Sequence, residues 1–471
     1  MKYYRLIWNK LLAVILILSG GFFTACADDD IKVGGIDEEN YRTTGDVFGY
    51  VINVEGRRST ALVEFRDTGE TELYLGLTKN VSQPVNVVFK YNKAVLDSYN
   101  ATNESSYELF PENLVTFQNG GSVDVLSGES KSNSLPVSFR SDASLDPSKS
   151  YAIPVSAELK SGDIKIGEAT NYLIFVKDLT QLPDAGKASG IKIISCMEVN
   201  DTNPLNNLLF TLKDSGKPLV DIVILFSGNI NYDSETGKVY NYNNPNIQHL
   251  LDNHGKYLKP MQDRGIKIVL GILGNHDRSG VANLADETAR AFAKELKAVC
   301  DAYHLDGIFW DDEYSTYQTP PPVGFVSPSN AAAARLCYET KKIMPDKLTC
   351  AYVYGRTYSF PSVDGVQPGE FVDWGIHDYG GSSDLSGNYP GLQKSGMALY
   401  SQEFARNYYT SDSNLQRLRS NGYGGHMIFA MDPFRTNFSS RQLPAMESIA
   451  KILFDEELVY AGDDKRYSKD W

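Results

Sequence analysis

The feature that most constrains this chain is a change of period near residue 190. Beyond it, short apolar runs alternate with segments of helical periodicity. The strand-like runs lie at 191–197, 221–226, 266–272, 307–311, 348–354, 371–376, 397–400 and 427–430, and helical segments such as 246–264, 286–303 and 331–344 fall between them. Strands buried on both faces read as continuous Val/Ile/Leu runs, because the crossover helices cover them. Eight such repeats in the last 280 or so residues predict an α/β architecture, a (β/α)8 TIM barrel spanning 191–471. A doubly wound sheet is the alternative, but it usually has fewer strands and a Gly-rich phosphate turn. No GxGxxG or P-loop follows any of these runs. A barrel places catalytic groups at the C-terminal ends of its strands.

Residues 47–177 read differently. Short alternating runs at 47–54, 71–77, 85–91, 135–139, 151–159 and 172–176 are separated by Gly, Asn, Ser, Pro and Asp, with one helical interruption at 94–99. This predicts an all-β sandwich with a short helix. It carries no catalytic spacing and no site assignment. A spacer or docking module is the plain reading, and a carbohydrate-binding module the alternative. Residues 178–190, DLTQLPDAGKASG, have the composition of a linker.

At the N-terminus, Lys2, Arg5 and Lys10 precede an apolar run at 11–18 that is too short to span a bilayer. Residues 1–25 therefore read as a secretory signal. The stretch FTAC, ending at Cys26, resembles a bacterial lipobox, which implies lipidation of Cys26. Residues 26–46 read as a polar tether. Asp28, Asp29 and Asp30 resemble a surface-export signal of glycan-foraging Gram-negative bacteria, so an outer-membrane lipoprotein facing outward is expected.

Net charge is −14, and the three basic residues of the leader are offset by no acid there, so its loss leaves −17. Such a chain has no basic surplus with which to neutralise phosphates, and nucleic acid is excluded as a partner. The 29 tyrosines suit sugar faces, though they also suit sandwich cores. Cys196, Cys300, Cys337 and Cys350 form no CxxC pair, so neither a zinc site nor another resident metal or cofactor is expected. A disulfide among them stays open.

The chemistry concentrates at 305–314, LDGIFWDDEY. Side chains alternate along a strand, so Phe309, Asp311 and Glu313 share one face and Asp312 the other. Two carboxyls at i and i+2 then leave one strand end together. Like charge and partial burial raise a carboxyl pKa, as a general acid near neutral pH requires. A solvated acidic loop and a site for a hard cation are the competing readings. Ordinary glycosidase pairs stand on different strands. A pair on one strand suits a scheme in which Glu313 protonates the glycosidic oxygen, the sugar's own 2-acetamido oxygen attacks, and Asp311 accepts the acetamide N–H.

These residues resemble the DGxDxDxE signature of glycoside hydrolase family 18, with Asp306, Gly307, Asp311 and Glu313 matching. The closer resemblance is to its endoglycosidase H and F type members. It runs through MEVNDTNPLNN (197–207), VILFSGNINYD (223–233), GILGNHD (271–277), DGIFWDDEY (306–314), MPDK (344–347) and GYGGHMIFAMD (422–432). Residues 47–177 resemble the immunoglobulin-like domain that precedes such barrels in surface lipoproteins.

The resemblance implies an endo-β-N-acetylglucosaminidase that cuts the N,N'-diacetylchitobiose core of N-glycans, high-mannose or hybrid by preference, with retention. Glu313 is then the acid/base, Asp311 orients the acetamide, and Tyr379 bonds the acetamide carbonyl. Glu198, Asn200, Phe226, Asn229, Gly274, Asn275 and His276 are expected to line the cleft. Other glycan-uptake proteins at the surface are further expected partners. Phe309 departs from the pattern, since the family places an acid there beneath Asp311. A non-catalytic glycan-binding protein and a chitinase are the alternatives. The four tryptophans, at 8, 310, 374 and 471, make the long groove of a chitinase poorly supported.

Overall fold

The computed structural model describes residues 45–462 and 465–471. The signal segment, Cys26 and most of the 26–46 tether lie outside the described residues. Residues 47–471 form one compact unit.

The first part is two packed sheets. One orders Gly49–Asn53, Thr68–Leu77, Leu135–Arg140 and Val115–Phe117, all antiparallel. The other orders Thr60–Phe65, Asn171–Asp178, Tyr151–Ser161, Val85–Tyr91 and Ser122–Val125. Alternate residues of both turn inward, so Leu73, Leu75, Val87, Phe89, Ile153, Val155 and Ile174 make the shared core. The helical interruption is longer than its predicted six residues. It spans Lys93–Asn103, because the Asn92 side chain accepts the Ala94 N–H at its start and Glu104 ends it in the left-handed region. Its Leu96 packs outside the second sheet on Ala152, Leu173 and Phe175.

The second part is the barrel. Its eight parallel strands are Lys192–Glu198, Ile222–Asp233, Lys267–Leu273, Gly307–Trp310, Leu348–Tyr352, Trp374–Ile376, Met397–Ala398 and Gly425–Phe429. Each pairs with the next, and the eighth closes on the first through Lys192↔Gly425 to Cys196↔Phe429. Ile194, Cys196, Ile224, Val269, Phe309, Cys350, Tyr352, Trp374 and Met427 fill the interior. The neighbouring residues of the same strands, such as Ile308 and Trp310, pack outward under the helices.

Local chemistry moves several predicted boundaries. The run at 246–264 is not one helix. It breaks into Pro245–Asp252, His254–Tyr257 and Lys259–Gln262, with Asn253 between the first two and Pro260 at the start of the last. The fourth strand stops at Trp310, one residue short of its expected end at 311. The predicted strand at 371–376 begins only at Trp374, because Pro368–Phe371 is a helical turn closed by Gln367 and Glu370. The predicted strand at 397–400 is two residues long, and Tyr400 has φ 56°, outside the strand region. All four described cysteines are buried thiols without a disulfide.

The sandwich meets the barrel at the N-terminal ends of its strands. Arg57 pairs with Asp373 at 3.0 Å, Lys267 with Glu64 at 2.6 Å, and the Tyr107 hydroxyl donates to Asp346 at 2.5 Å. The Arg58 N–H donates to Glu370, and the Tyr99 hydroxyl to the carbonyl of Lys342. This face is the barrel floor, opposite the strand ends that carry the carboxyls.

Candidate active site

The fourth strand delivers its carboxyls as alternation requires. Phe309 points into the barrel, so Asp311, two residues on, points the same way just above it. The Asp311 N–H donates to the carbonyl of Ile272 at 3.1 Å, which continues the ladder to the third strand. The Asp311 side chain is buried, and its Oδ1 has no hydrogen-bond partner. Burial, with Glu313 and then Asp312 as like charges, pushes its carboxyl well above the usual range. Glu313 is half-buried. Loss of water raises its pKa, while the Arg406 guanidinium from the loop after the seventh strand pulls it back down.

Asp312 takes the opposite face. It accepts hydrogen bonds from the Tyr317 hydroxyl and, at 2.8 Å, from the Arg356 N–H, and it pairs with the Arg356 guanidinium at 3.5 Å. These contacts fix the loop after the fourth strand to the loop after the fifth. They also turn Asp312 away from the other two carboxyls. Among the described residues, no three His, Cys, Asp or Glu side chains converge in the manner of a metal site.

Around Asp311 the wall is aromatic. The Phe226 ring lies 6.5 Å from Phe309 and 5.4 Å from Phe429, and Tyr379 stands 6.2 Å from Phe429 and 6.4 Å from Tyr352. Tyr379 follows the sixth strand and is held by bridging to Ser401. Burial raises its hydroxyl pKa, so it stays a neutral donor and acceptor.

The expected cleft residues divide by place. Glu198 ends the first strand, half-buried, with its pKa raised by burial, and accepts a hydrogen bond from Asn200 at 2.9 Å. Asn200 is exposed and accepts in turn from Asn246. Asn229 is buried and donates to the carbonyl of Gly274 at 3.0 Å, so it braces the third-strand loop. Gly274 is itself buried. Its N–H donates to the carbonyl of Glu313 at 2.9 Å, and a Cβ there would sit 2.5 Å from that same oxygen. Asn275 and His276 are exposed at the rim. Asn275 reaches Asn231, and the His276 ring meets Tyr314 edge-on at 5.6 Å.

Three groups at this mouth escaped the sequence reading. Tyr352 was legible in principle, since alternation from Cys350 turns it inward. Glu403 is buried in a two-residue strand, Gln402–Glu403, that lies beside the eighth strand. Arg406 sits on an irregular loop, where nothing in the local pattern marks it.

With this geometry in view, comparison with known proteins decides the family. A family model for an N-terminal domain matches residues 41–164. Endo-β-N-acetylglucosaminidase F1 of Elizabethkingia meningoseptica is 65% identical over 284 residues, which are 60% of this chain and 83% of the relative. The chain belongs to the endo-β-N-acetylglucosaminidases. An endo-β-N-acetylglucosaminidase of Flavobacterium sp. (strain SK1022) is 31% identical over 58% of this chain and 83% of its own. Among solved structures, EndoBT-3987 of Bacteroides thetaiotamicron with Man5GlcNAc product superposes with a TM-score of 0.81 at 35% identity, covering 89% of this chain and 99% of the other. The same protein with Man9GlcNAc2Asn substrate gives 0.74 at 32% identity over the same shares. The two-part architecture is therefore shared with that protein, whereas the match to the F1 relative covers 60% of this chain.

Proposed function

We propose that this endo-β-N-acetylglucosaminidase cuts between the two N-acetylglucosamines of an N-glycan core, with high-mannose glycans preferred, through the pair Asp311 and Glu313. The carrying observation is that these two carboxyls leave one strand end together in an aromatic, water-poor mouth. Glu313, kept protonated by partial burial, gives its proton to the glycosidic oxygen. The acetamido oxygen of the same sugar attacks the anomeric carbon. Asp311 accepts the acetamide N–H and faces the positive charge of the oxazolinium that forms. Tyr379 bonds the acetamide carbonyl and holds it on line. Glu313, now a carboxylate, takes a proton from the incoming water, and two inversions give net retention.

Glu198, Asn200, Phe226, Asn275 and His276 border the mouth on the side of the first three strands, where sugars would rest. Asn229 and Gly274 act through the loop they brace. The Man5 and Man9 glycans seen with EndoBT-3987 support the high-mannose preference. The sequence supports a lipid anchor at Cys26, an outward-facing place on an outer membrane and company with other glycan-uptake proteins there. It also supports domain limits at 47–177 and 191–471, joined by 178–190.

Digestion of a high-mannose glycoprotein followed by mass spectrometry tests this reading. The expected product keeps one N-acetylglucosamine on the protein, and Glu313→Gln binds the glycan while losing about 100-fold or more in rate. Release of glycans with both N-acetylglucosamines, or equal rates in the variant, overturns it.

A further inference from the structure

The mechanism asks Asp311 to act as a carboxylate, yet its surroundings favour the neutral acid. Its Oδ1 is buried without a partner, over Phe309, where the DxDxE pattern has a second acid. A buried anion with no donor is costly, and a hydrogen bond to the charged form is what lowers that cost. Something in the mouth must supply that bond.

The strand register narrows the choice. Phe309 pairs with Cys350 and Trp310 with Ala351, so the next residue of the fifth strand, Tyr352, stands beside Asp311. Both side chains point into the barrel. Tyr352 is 7% exposed, its ring lies 5.9 Å from Phe309 and 6.4 Å from Tyr379, and it stacks on Tyr354 at 6.0 Å. The other ionisable groups facing this space are Cys196 on the first strand, Glu198 at its end, Asp312 and Glu313 on Asp311's own loop, Asp378 and Tyr379 after the sixth strand, and Glu403 and Arg406 after the seventh, of which Arg406 is exposed and acts on Glu313 rather than on Asp311. Glu313 is protonated but spends its proton on the glycosidic oxygen, the remaining carboxylates accept rather than donate, and a thiol donates weakly. Tyr379 engages the Tyr352 hydroxyl and has the acetamide to hold. That leaves the Tyr352 hydroxyl.

We propose that Tyr352 is the positioning residue that donates a hydrogen bond to Asp311 and so keeps it ionised while it receives the acetamide N–H. The inference rests on the assignment of Asp311 above. Tyr352 does the work that falls to a carboxyl in relatives with an acid at the position of Phe309.

The test is Tyr352→Phe, which keeps the ring and removes only the oxygen. In the full chain acting on a high-mannose glycoprotein, kcat falls about tenfold or more with KM little changed, because one charge-assisted bond is lost. Without its donor Asp311 holds its proton to higher pH, so the acidic limb of the kcat/KM profile moves up by about one unit. In an Asp311→Asn background the same change has no further effect on rate. An unmoved limb, or an equal loss in that background, overturns the proposal. A second readout does not need cleavage. In 13C-aspartate-labelled protein the Asp311 carboxyl is the signal missing from Asp311→Asn, and its titration shifts upward in Tyr352→Phe. An unshifted titration sinks the role of Tyr352, whereas failure of the unmutated chain to cut any glycan sinks the function on which it rests.

Discussion

Asp311 carries a stability consequence as well as a chemical one. Its folded-state pKa is raised, so the unfolded chain gives up that proton first as pH climbs. Stability is then undiminished below the ordinary carboxylate range and is lost above it, at about 1.4 kcal/mol per pH unit, until the folded-state value is reached. Asp311→Asn removes that loss. Denaturant midpoints for the variant and the unmutated protein should coincide near pH 4 and separate in the variant's favour at pH 7, and midpoints that stay together at pH 7 count against a raised pKa. Arg406 acts with the opposite sign on its neighbour. Its cation holds the Glu313 pKa down, so Arg406→Ala should carry the alkaline limb of the kcat/KM profile upward. The move should stay under about one unit, because Arg406 is exposed and its field is screened by salt. A downward move would show that Arg406 serves the substrate instead.

At the scale of elements, the Glu313 carboxyl is placed by the loop it sits on. That loop is clamped from two sides, by Asp312 to the loop after the fifth strand and by the Gly274 N–H to the carbonyl of Glu313. Gly274→Ala puts a methyl group 2.5 Å from that oxygen and against Ser315, so the loop must back away. A displacement near 1 Å costs about 100-fold in rate, and circular dichroism should show the fold intact. Full activity in this variant would mean the loop has slack. Here lies the difference between what sequence periodicity revealed and what it hid. Eight apolar runs announced the barrel, and alternation placed Phe309, Asp311 and Glu313 on one face. Short strands and caps were hidden, because Pro368 and the left-handed Tyr400 act on single residues inside a pattern that averages over many. The inward turn of Tyr352 was legible by alternation, but its place beside Asp311 was hidden, because that depends on which strand lies next to which. Arg406 was hidden because an irregular loop has no period to read.

For the molecule as a whole, the two parts are joined by buried charge. Arg57 and Asp373 are both largely enclosed, with Lys341 as the second cation on Asp373, and these cations hold the Asp373 carboxyl well below its usual range against the effect of burial. Arg57→Met should therefore lower stability by about 1.5–3 kcal/mol. The tryptophans among the described residues, at 310, 374 and 471, all belong to the barrel. Their fluorescence should register the loss although the altered residue is in the sandwich. A tryptophan transition that does not move would show that the barrel stands without its partner.

The placement of the sandwich beneath the barrel has one more consequence. A sugar attached to a folded carrier arrives with a bulky body behind it, and a second module hung over the entrance would restrict such cargo. Here the module is stowed under the opposite end, so among the described residues it is the rim loops that set clearance for the carrier. Exposed rings on those loops, among them Tyr314, Tyr354, Tyr408 and Phe434, are what an approaching glycoprotein would touch first.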